Sequence, residues 1–372
     1  TGDRTEVESI SALFPKGTSL GSYKSNVGHL ITVAGTAGLL KVLAGMEAEQ
    51  RPPSLHAEMP LPEVEAAGFR LVTTAEPWDA NQRIAGVSAF GFGGNNAHLV
   101  VAQHVSTHAT HVSMATSVRP LVVGMATRVN PVAVHLPLEG LRFPPRDLRA
   151  SLAQQTLVLE VAGEAIAAAG VTGPRERTAV IVALGCDPVV TGWGLRWRLP
   201  PEETALRDAV APSLRAEHVV GSMPNIPANR VNVQHDFAGP GFTVSAEGFS
   251  GAVAVEIAAD WLAQGDVDTV VVAAVDLGRD PRSIAARGVH GATRAADVAV
   301  ALVLRREGSG IGTLGPLDWH PSRAPVAPDA PDGPADLLLG VAIALTHPGN
   351  HRVSASTVYR HSVDLPVTTA SV

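Results

Sequence analysis

A lysine and a histidine stand five positions apart near the start of the chain, as Lys24 and His29. The Ala- and Gly-rich stretch that follows predicts a helix over about 30–48, so both side chains would lie near one turn at its mouth. A neutral imidazole there can donate Nε2–H to a thioester carbonyl or polarise a carboxylate, and an ammonium beside it can orient the ring electrostatically. A capped helix with a surface lysine and a hydrogen-bonded histidine accounts for the same spacing equally well.

A second candidate site lies in the other half of the chain, where a strand pattern at 241–245 runs into a helix pattern at 248–264. A sharp turn between a strand and a helix exposes the residue at the elbow beside the N-terminal amide groups of the helix. Glu247 and Gly248 stand at that turn. Glycine has no side chain that could act as a nucleophile at such a position.

The elements that must position these residues alternate between strands and helices. Buried-strand patterns rich in Val and Ala occur at 120–125, 178–184, 268–275 and 298–304, and apolar residues have helical spacing over 148–169. Hydrophobic residues make up 45% of the chain and aromatic residues only 4%, which suits small side chains packed between helices and a sheet. The alternation predicts an α/β fold with mostly parallel sheets covered on both faces.

Composition also changes along the chain. Residues 84–101 read as two strands around a glycine turn, and residues 104–118, rich in Ser, Thr and His, read as a linker. The composition of residues 307–335, rich in Gly, Pro, Asp and Ala, predicts an exposed loop or a disordered segment. A helix pattern at 336–345 and a strand pattern at 352–359 follow it.

Charge and cysteine content exclude several classes of function. The net charge of −7 leaves no basic surface for nucleic acid or an anionic membrane, and no apolar run is long enough for a membrane span. The single cysteine, Cys186, rules out an intramolecular disulfide and fits a reducing, cytoplasmic setting. The first residues, from Thr1, have neither a Met nor a signal-peptide pattern, which we interpret as a truncated start.

Three weaker candidates receive structural interpretations. We predict a structural role for Cys186, because it stands away from the strand–helix elbow and inert buried cysteines are common. A group of histidines has metal-ligand spacing but lies in the linker without a fourth ligand, so we predict no metal site there: His104, His108 and His111. A cation–π cluster at an interface and one packed loop remain equally open for another group: Trp193, Arg196 and Trp197.

Four stretches of the first hundred residues, in this order, resemble the β-ketoacyl synthase family. Residues 1–8 are similar to the sequence that follows that family's HGTGT motif, and residues 24–29, Lys-Ser-Asn-Val-Gly-His, resemble its KSNxGH motif. Residues 51–56 resemble the segment after it, and residues 85–98 resemble the closing signature. The resemblance predicts that residues 1–103 are the C-terminal part of a ketosynthase domain.

The resemblance also implies roles for single residues. His29 would be the second histidine of a Cys–His–His site and Lys24 its supporting lysine, with the nucleophilic cysteine and the first histidine expected upstream of Thr1. Phe92 would be the gating phenylalanine, while Asn95 stands where the family usually has Thr. The whole gating and closing loop would comprise Phe90, Phe92, Gly93, Gly94 and Asn95.

Residues 119–306 resemble a second ketosynthase copy whose nucleophile is replaced, as in the chain-length-factor domain of polyunsaturated fatty acid synthases. The segments that carry this resemblance are 142–148 together with Gln154 and Gln155, 225–230, and 242–247. Gly248, with Glu247 as its neighbour, would occupy the place of the family's nucleophilic cysteine. The resemblance implies a thiolase-like layered α-β-α-β-α architecture in mostly incomplete copies, with 336–372 a degenerate remnant of the second domain.

These resemblances predict a fragment of a condensing enzyme of fatty acid or polyketide synthesis, by family an acyltransferase. Its parent would perform decarboxylative Claisen condensation on the phosphopantetheine thioesters of acyl carrier protein, with no cofactor bound directly. The chain alone would be inactive, because it has no nucleophilic cysteine at either site. The alternative is a non-catalytic scaffold that pairs with an intact ketosynthase or with other megasynthase domains. A thiolase-like enzyme is disfavoured because Cys186 is the only cysteine.

Overall fold

The computed structural model describes residues 2–91, 94, 96–104, 119–171, 173–281, 284, 296–321, 335–356 and 361–370. The chain divides into two compact units, Thr1–Ser113 and Met114–Val372. We call them the first unit and the second unit.

The first unit is built from short elements. Its helices are α1 (Gly2–Ser11), α2 (Lys24–Val27), α3 (Ala34–Glu47) and α4 (Pro62–Ala66). Its strands form three two-stranded sheets, which pair β1 (Ser19–Leu20) with β3 (Arg70–Leu71), β2 (Gln50–Arg51) with β4 (Glu76–Pro77), and β5 (Ile84–Phe90) with β6 (Asn96–Ala102). The predicted helix after His29 and the predicted hairpin are therefore confirmed.

Small residues let α3 lie close to the hairpin. A Cβ added at Gly35 would come within 2.9 Å of the Ala89 side chain, so glycine is needed for this approach. The core of the unit is small, with Val7, Val64 and Phe69 buried together. Many other apolar side chains remain exposed, among them Leu40, Ile84 and Val100.

The second unit contains a nine-stranded sheet. Its strands are β7 (Leu121–Val129), β8 (Thr178–Leu184), β9 (Gly241–Val244), β10 (Thr269–Leu277), β11 (Asp297–Arg305), β12 (Gly312–Leu314), β13 (Asp318–Pro321), β14 (Asn350–Ser356) and β15 (His361–Thr369). Its described helices are α5 (Pro145–Arg149), α6 (Ala153–Ala169), α7 (Val190–Arg198), α8 (Thr204–Val210), α9 (Ala216–Ser222), α10 (Ile226–His235), α11 (Ser250–Gln264) and α12 (Asp336–Leu345).

The sheet is mixed, so the prediction of mostly parallel strands is wrong. The strand order is β13-β15-β12-β7-β11-β10-β8-β9, with β14 also paired to β15. Among the described strands of this sheet, only β8 with β10 and β8 with β9 run parallel, and its other pairs are antiparallel. A fully buried strand has the same apolar pattern in either direction, because strand direction depends on how the chain returns to the sheet.

Helices cover both faces of this sheet. On one face, α11 and α12 pack against alternate strand residues such as Val270 and Val272. On the other, α6 and α10 pack against the intervening residues, such as Val271 and Ala273. The central strands are therefore buried on both sides, which explains why they read as continuous Val- and Ala-rich runs.

The C-terminal stretch is part of this core. Leu338 and Val341 of α12 are fully buried, which confirms the helix predicted at 336–345, and β14 lies where a strand was predicted at 352–359. The prediction of an exposed loop over 307–335 is wrong for its first half, because β12 and β13 lie there and Leu314 is buried. Three- and four-residue strands carry little periodicity, and their partner β15 comes some fifty residues later. Residues 322–334 lie outside the described part.

Candidate functional site

Lys24 and His29 lie at the two ends of one helical turn. Lys24 opens α2, and its carbonyl accepts a hydrogen bond from the Gly28 N–H at 2.8 Å. Gly28 has φ +77° and ψ −179°, a conformation open essentially to glycine alone, and His29 follows it. Both side chains are exposed, so the turn presents an ammonium and an imidazole to the same surroundings.

The backbone fixes the proton on the His29 ring. The Ile31 N–H donates to His29 Nδ1 at 3.0 Å, so the neutral imidazole carries its proton on Nε2. That nitrogen is then a donor, as expected from the sequence for a group that could bind a thioester carbonyl. Ile31 has φ +53°, an uncommon and costly conformation for a β-branched residue.

The turn is tied to the segment after α3 by serine side chains. The Ser22 N–H donates to Ser54 Oγ, and the Leu55 N–H donates to Ser25 Oγ, each at 2.9 Å. Ser54 is buried. The KSNxGH-like stretch and the stretch at 51–56 are thus adjacent in space.

Only part of the predicted closing loop can be placed. Phe90 ends β5 with its side chain partly exposed, and Gly94 has φ +92°. Phe92, Gly93 and Asn95 lie outside the described residues. Within the hairpin, Ser88 Oγ and His98 Nδ1 are 2.9 Å apart across the two strands.

The predicted strand–helix elbow is present in the second unit. β9 ends at Val244, α11 begins at Ser250, and Glu247 between them has φ +50°. Ser250 Oγ donates to the Glu247 carbonyl at 2.7 Å and accepts from the Ala246 N–H at 2.9 Å, which holds the turn closed. Gly248 is buried in this turn and Glu247 is exposed. The turn between β9 and α11 therefore has no side chain at Gly248 that could take part in chemistry.

Cys186 does not fit the buried structural role predicted for it, because its side chain is exposed. β8 and β9 run parallel with Ala183 opposite Val244, so Cys186 and the elbow follow the same edge of the sheet. Some sixty residues separate Cys186 from the elbow in the sequence, so their proximity along the sheet edge could not be predicted from it. Because the thiol is exposed, labelling experiments on this unit need a Cys186 control.

Two of the three side chains in the tryptophan and arginine group on α7 pack against neighbouring residues, and the third is exposed. Trp193 Nε1 donates to the Pro212 carbonyl at 3.2 Å, and Arg196 pairs with Asp208 at 2.6 Å. Trp197 is 84% exposed. No cation–π contact joins these three described side chains. Trp193 and Arg196 are packed, as one of the two alternatives predicted, but on a helix and not on a loop.

Sequence patterns did not reveal the charged and polar groups that hold each unit together. In the second unit, the Glu160 carboxylate is almost completely buried and accepts from Arg128 Nε and from the His135 N–H, each at 2.9 Å. In the first unit, Lys41 contacts the turn that carries Lys24 and His29. One signal was available for Lys41, because the chain has only three lysines among its 28 basic residues.

The described residues contain no group of three His, Cys, Asp or Glu side chains that could hold a metal ion. His108 and His111 lie outside that part. None of the helices described here combines the length and the hydropathy needed to cross a membrane.

Family profiles match most of the chain, in an unusual order. Residues 1–58 match the beta-ketoacyl synthase C-terminal domain, and residues 60–139 match the ketoacyl-synthetase C-terminal extension. Residues 135–308 match the beta-ketoacyl synthase N-terminal domain. A C-terminal domain thus precedes an N-terminal domain, the order that two successive ketosynthase copies would produce.

Individual relatives agree with these profiles. A polyunsaturated fatty acid synthase polypeptide of Thraustochytrium sp. is 28% identical over 352 residues, which cover 74% of this chain but only 17% of that polypeptide. The solved PfaC keto synthase-chain length factor matches all of this chain and 56% of its own, with a TM-score of 0.78 and 20% identity. A type II polyketide synthase ketosynthase, solved with its acyl-carrier protein, matches 68% of this chain and 99% of its own, with a TM-score of 0.52 and 10% identity. At these identities the two structures show a shared fold, which confirms the predicted α/β class.

Proposed function

Because the chain belongs to the β-ketoacyl synthase family, we propose that it is part of a condensing enzyme of fatty acid or polyketide synthesis and that its second unit condenses nothing itself. The chain is related to polyunsaturated fatty acid and polyketide synthases along most of its length. The observation that supports the proposal is the elbow between β9 and α11, where Gly248 is buried and has no side chain to act as a nucleophile.

The proposed parent reaction explains why a missing side chain matters. A cysteine thiolate would take the acyl group from a carrier-protein phosphopantetheine thioester, releasing the carrier thiol. Decarboxylation of a carboxylated extender thioester would then give an enolate that attacks the acyl-enzyme carbonyl and expels the cysteine. Gly248 can form no thioester, and the exposed Glu247 carboxylate is a poor substitute for a thiolate.

In the first unit we assign His29 the role of a hydrogen-bond donor in this reaction. Its Nε2–H is the free donor, because Nδ1 accepts from Ile31. A donor aimed at a thioester carbonyl oxygen stabilises the negative charge that develops there as the enolate forms. The Lys24 ammonium on the same turn would add a positive charge to that region.

The open edge of the large sheet favours a second role, that of a scaffold. β9 pairs with β8 on one side and with no other described strand. Such an edge presents unpaired backbone groups to a further strand. We propose that an intact ketosynthase pairs with the second unit at this edge, so that the unit shapes its partner's site without chemistry of its own.

Covalent labelling tests the absence of a nucleophile. The full chain is treated with chloroacetyl pantetheine, an electrophilic acyl-thioester mimic from which a thiolate displaces chloride, and adducts are located by mass spectrometry. We expect at most one adduct, on the exposed Cys186, and none in Cys186→Ser. A stoichiometric adduct on residues 245–250 of Cys186→Ser would overturn the proposal.

A proline substitution tests the open edge. The Val180 N–H donates to the Pro240 carbonyl, so the alternation of a parallel ladder points the Phe242 and Val244 N–H groups at β8 and the Thr243 N–H away from it. Thr243→Pro should weaken pairing with an intact ketosynthase by about tenfold or more, because it removes an edge donor. Thr243→Val is the matched control. Equal affinities of the two variants in sedimentation experiments would contradict pairing at β9.

A further inference from the structure

The ammonium of Lys41 lies at the meeting point of three segments of the first unit. Lys41 is on α3, and its Nζ donates to the Ser22 carbonyl at 2.9 Å, to Asn26 Oδ1 at 3.2 Å and to the Pro53 carbonyl at 2.6 Å. An ammonium has three protons, so these contacts use its whole donor capacity. None of the three acceptors is a carboxylate, and partial burial lowers the pKa of Lys41.

The three acceptors surround the candidate site. Ser22 and Asn26 lie on either side of Lys24 in the chain, and Asn26 is three residues before His29. Pro53 belongs to the segment that the serine contacts already join to the turn. Lys41 therefore links both the turn and the segment at Pro53 to α3, the helix that packs against the hairpin.

The turn needs an external tie because its own backbone is costly. Gly28 adopts a conformation restricted to glycine, and Ile31 is held in the left-handed region while it donates to His29 Nδ1. The left-handed conformation is costly for a β-branched residue such as Ile31, and it persists where surrounding contacts over-determine it. Lys41 is the member of α3 that supplies such contacts to the turn.

We propose that Lys41 is a positioning residue, which holds the turn carrying Lys24 and His29 and thereby keeps the His29 proton on Nε2. The use of this donor in condensation rests on the proposed function, whereas the positioning is a property of the chain itself. Residue choice agrees with this role, since all but three of the 28 basic residues are arginine. A compact ammonium suits three converging oxygens better than a planar guanidinium does.

Nitrogen NMR of the full chain, labelled with ¹⁵N-histidine, tests the proposal without any need for catalysis. His29→Gln identifies the His29 signals, and the two ring nitrogen shifts report the tautomer. We expect one tautomer in the native chain and a mixture in Lys41→Met, with amide exchange of Ile31 about tenfold faster, because a charge-assisted network is lost. Amide exchange within the hairpin should not change.

Lys16→Met is the matched control, because it removes a lysine of the same unit outside this network and should leave the His29 signals unchanged. If Lys41→Met does not fold, Lys41→Arg keeps the charge and most of the stem, and we expect a smaller shift in the same direction. Native His29 signals in a folded Lys41→Met or Lys41→Arg chain overturn the proposal. Failure of the pantetheine labelling test would leave this result intact, so the two hypotheses fail separately.

Discussion

The two units bury similar strands to very different extents. β10 and β11 of the second unit are buried at nearly every position, whereas residues of β5 in the first unit alternate between half-buried and exposed. The second unit has helices on both faces of its sheet, and the hairpin of the first has α3 packed against it. The comparison shows that the burial of an apolar strand depends on the helices that pack on its two faces, and not on its own residues alone.

The candidate sites of the two units also differ in the exposure of their residues. In the first unit, exposed polar groups with free donors are held in place by a network of backbone and side-chain hydrogen bonds. In the second, the elbow is closed by Ser250 and buries a residue without a side chain. The first arrangement presents charged and polar side chains to solvent, whereas Gly248 in the second presents none.

The largest expected effect comes from removing core volume in the second unit. Leu338 of α12 is fully buried, so Leu338→Ala should lower the free energy of unfolding by about 3 kcal/mol. Leu40 of α3 is 61% exposed, and Leu40→Ala should cost less than about 1 kcal/mol. Urea denaturation, with hydrogen exchange used to monitor each unit, measures both losses of unfolding free energy. Equal losses would contradict the difference in burial between the units.

Breaking the ion pair of the buried Glu160 carboxylate should have the next largest effect on stability. Glu160→Gln removes the charge of an almost completely buried carboxylate, and should cost about 2 kcal/mol, because an amide NH₂ replaces one of the two oxygens that accept from Arg128 Nε and the His135 N–H. In the first unit, Arg70 holds the pKa of the Glu76 carboxyl below its usual value through a hydrogen bond at the surface. Glu76→Gln should have the smaller effect on unfolding, because solvent screens that pair. A larger loss in Glu76→Gln would reverse this ranking.

Mild acid should destabilise the second unit through His235. Burial, with the nearby positive charge of Arg142, lowers the pKa of His235 below 6.5, and its buried Nε2 has no hydrogen-bond partner among the described residues. Below about pH 6.5 the unfolded chain therefore binds a proton that the folded unit resists, so stability falls as the pH falls. His235→Gln should flatten this slope between about pH 7 and 5. His56→Gln, an exposed control in the first unit, should not.

The smallest effect is expected at Thr243. Its hydroxyl oxygen is buried without a hydrogen-bond partner in the described structure, so Thr243→Val should be neutral or stabilise the second unit by up to about 1 kcal/mol. Thermal unfolding of the variant measures this. A marked loss of stability would show that the hydroxyl has a partner in solution, such as a bound water.

The local sequence pattern was enough to predict the elements whose formation depends mainly on residues close in the chain. The strand predicted at 178–184 and the helix predicted at 336–345 have the bounds that the structure shows, because each carries its own apolar periodicity. The elbow at Glu247 and Gly248 was predictable for the same reason. β12 and β13 were missed, since strands of three and four residues exist only through their pairing with β15.

By itself the sequence determined the α/β class, the Lys24–His29 turn and the absence of a nucleophile at Gly248, because each depends on residue type and near-neighbour spacing. Only the tertiary structure decided the direction of the strands, the exposure of Cys186 and the contacts of Lys41. Those features join residues tens of positions apart. Their free energy comes from contacts that exist only after the chain has folded, so no local pattern encodes them.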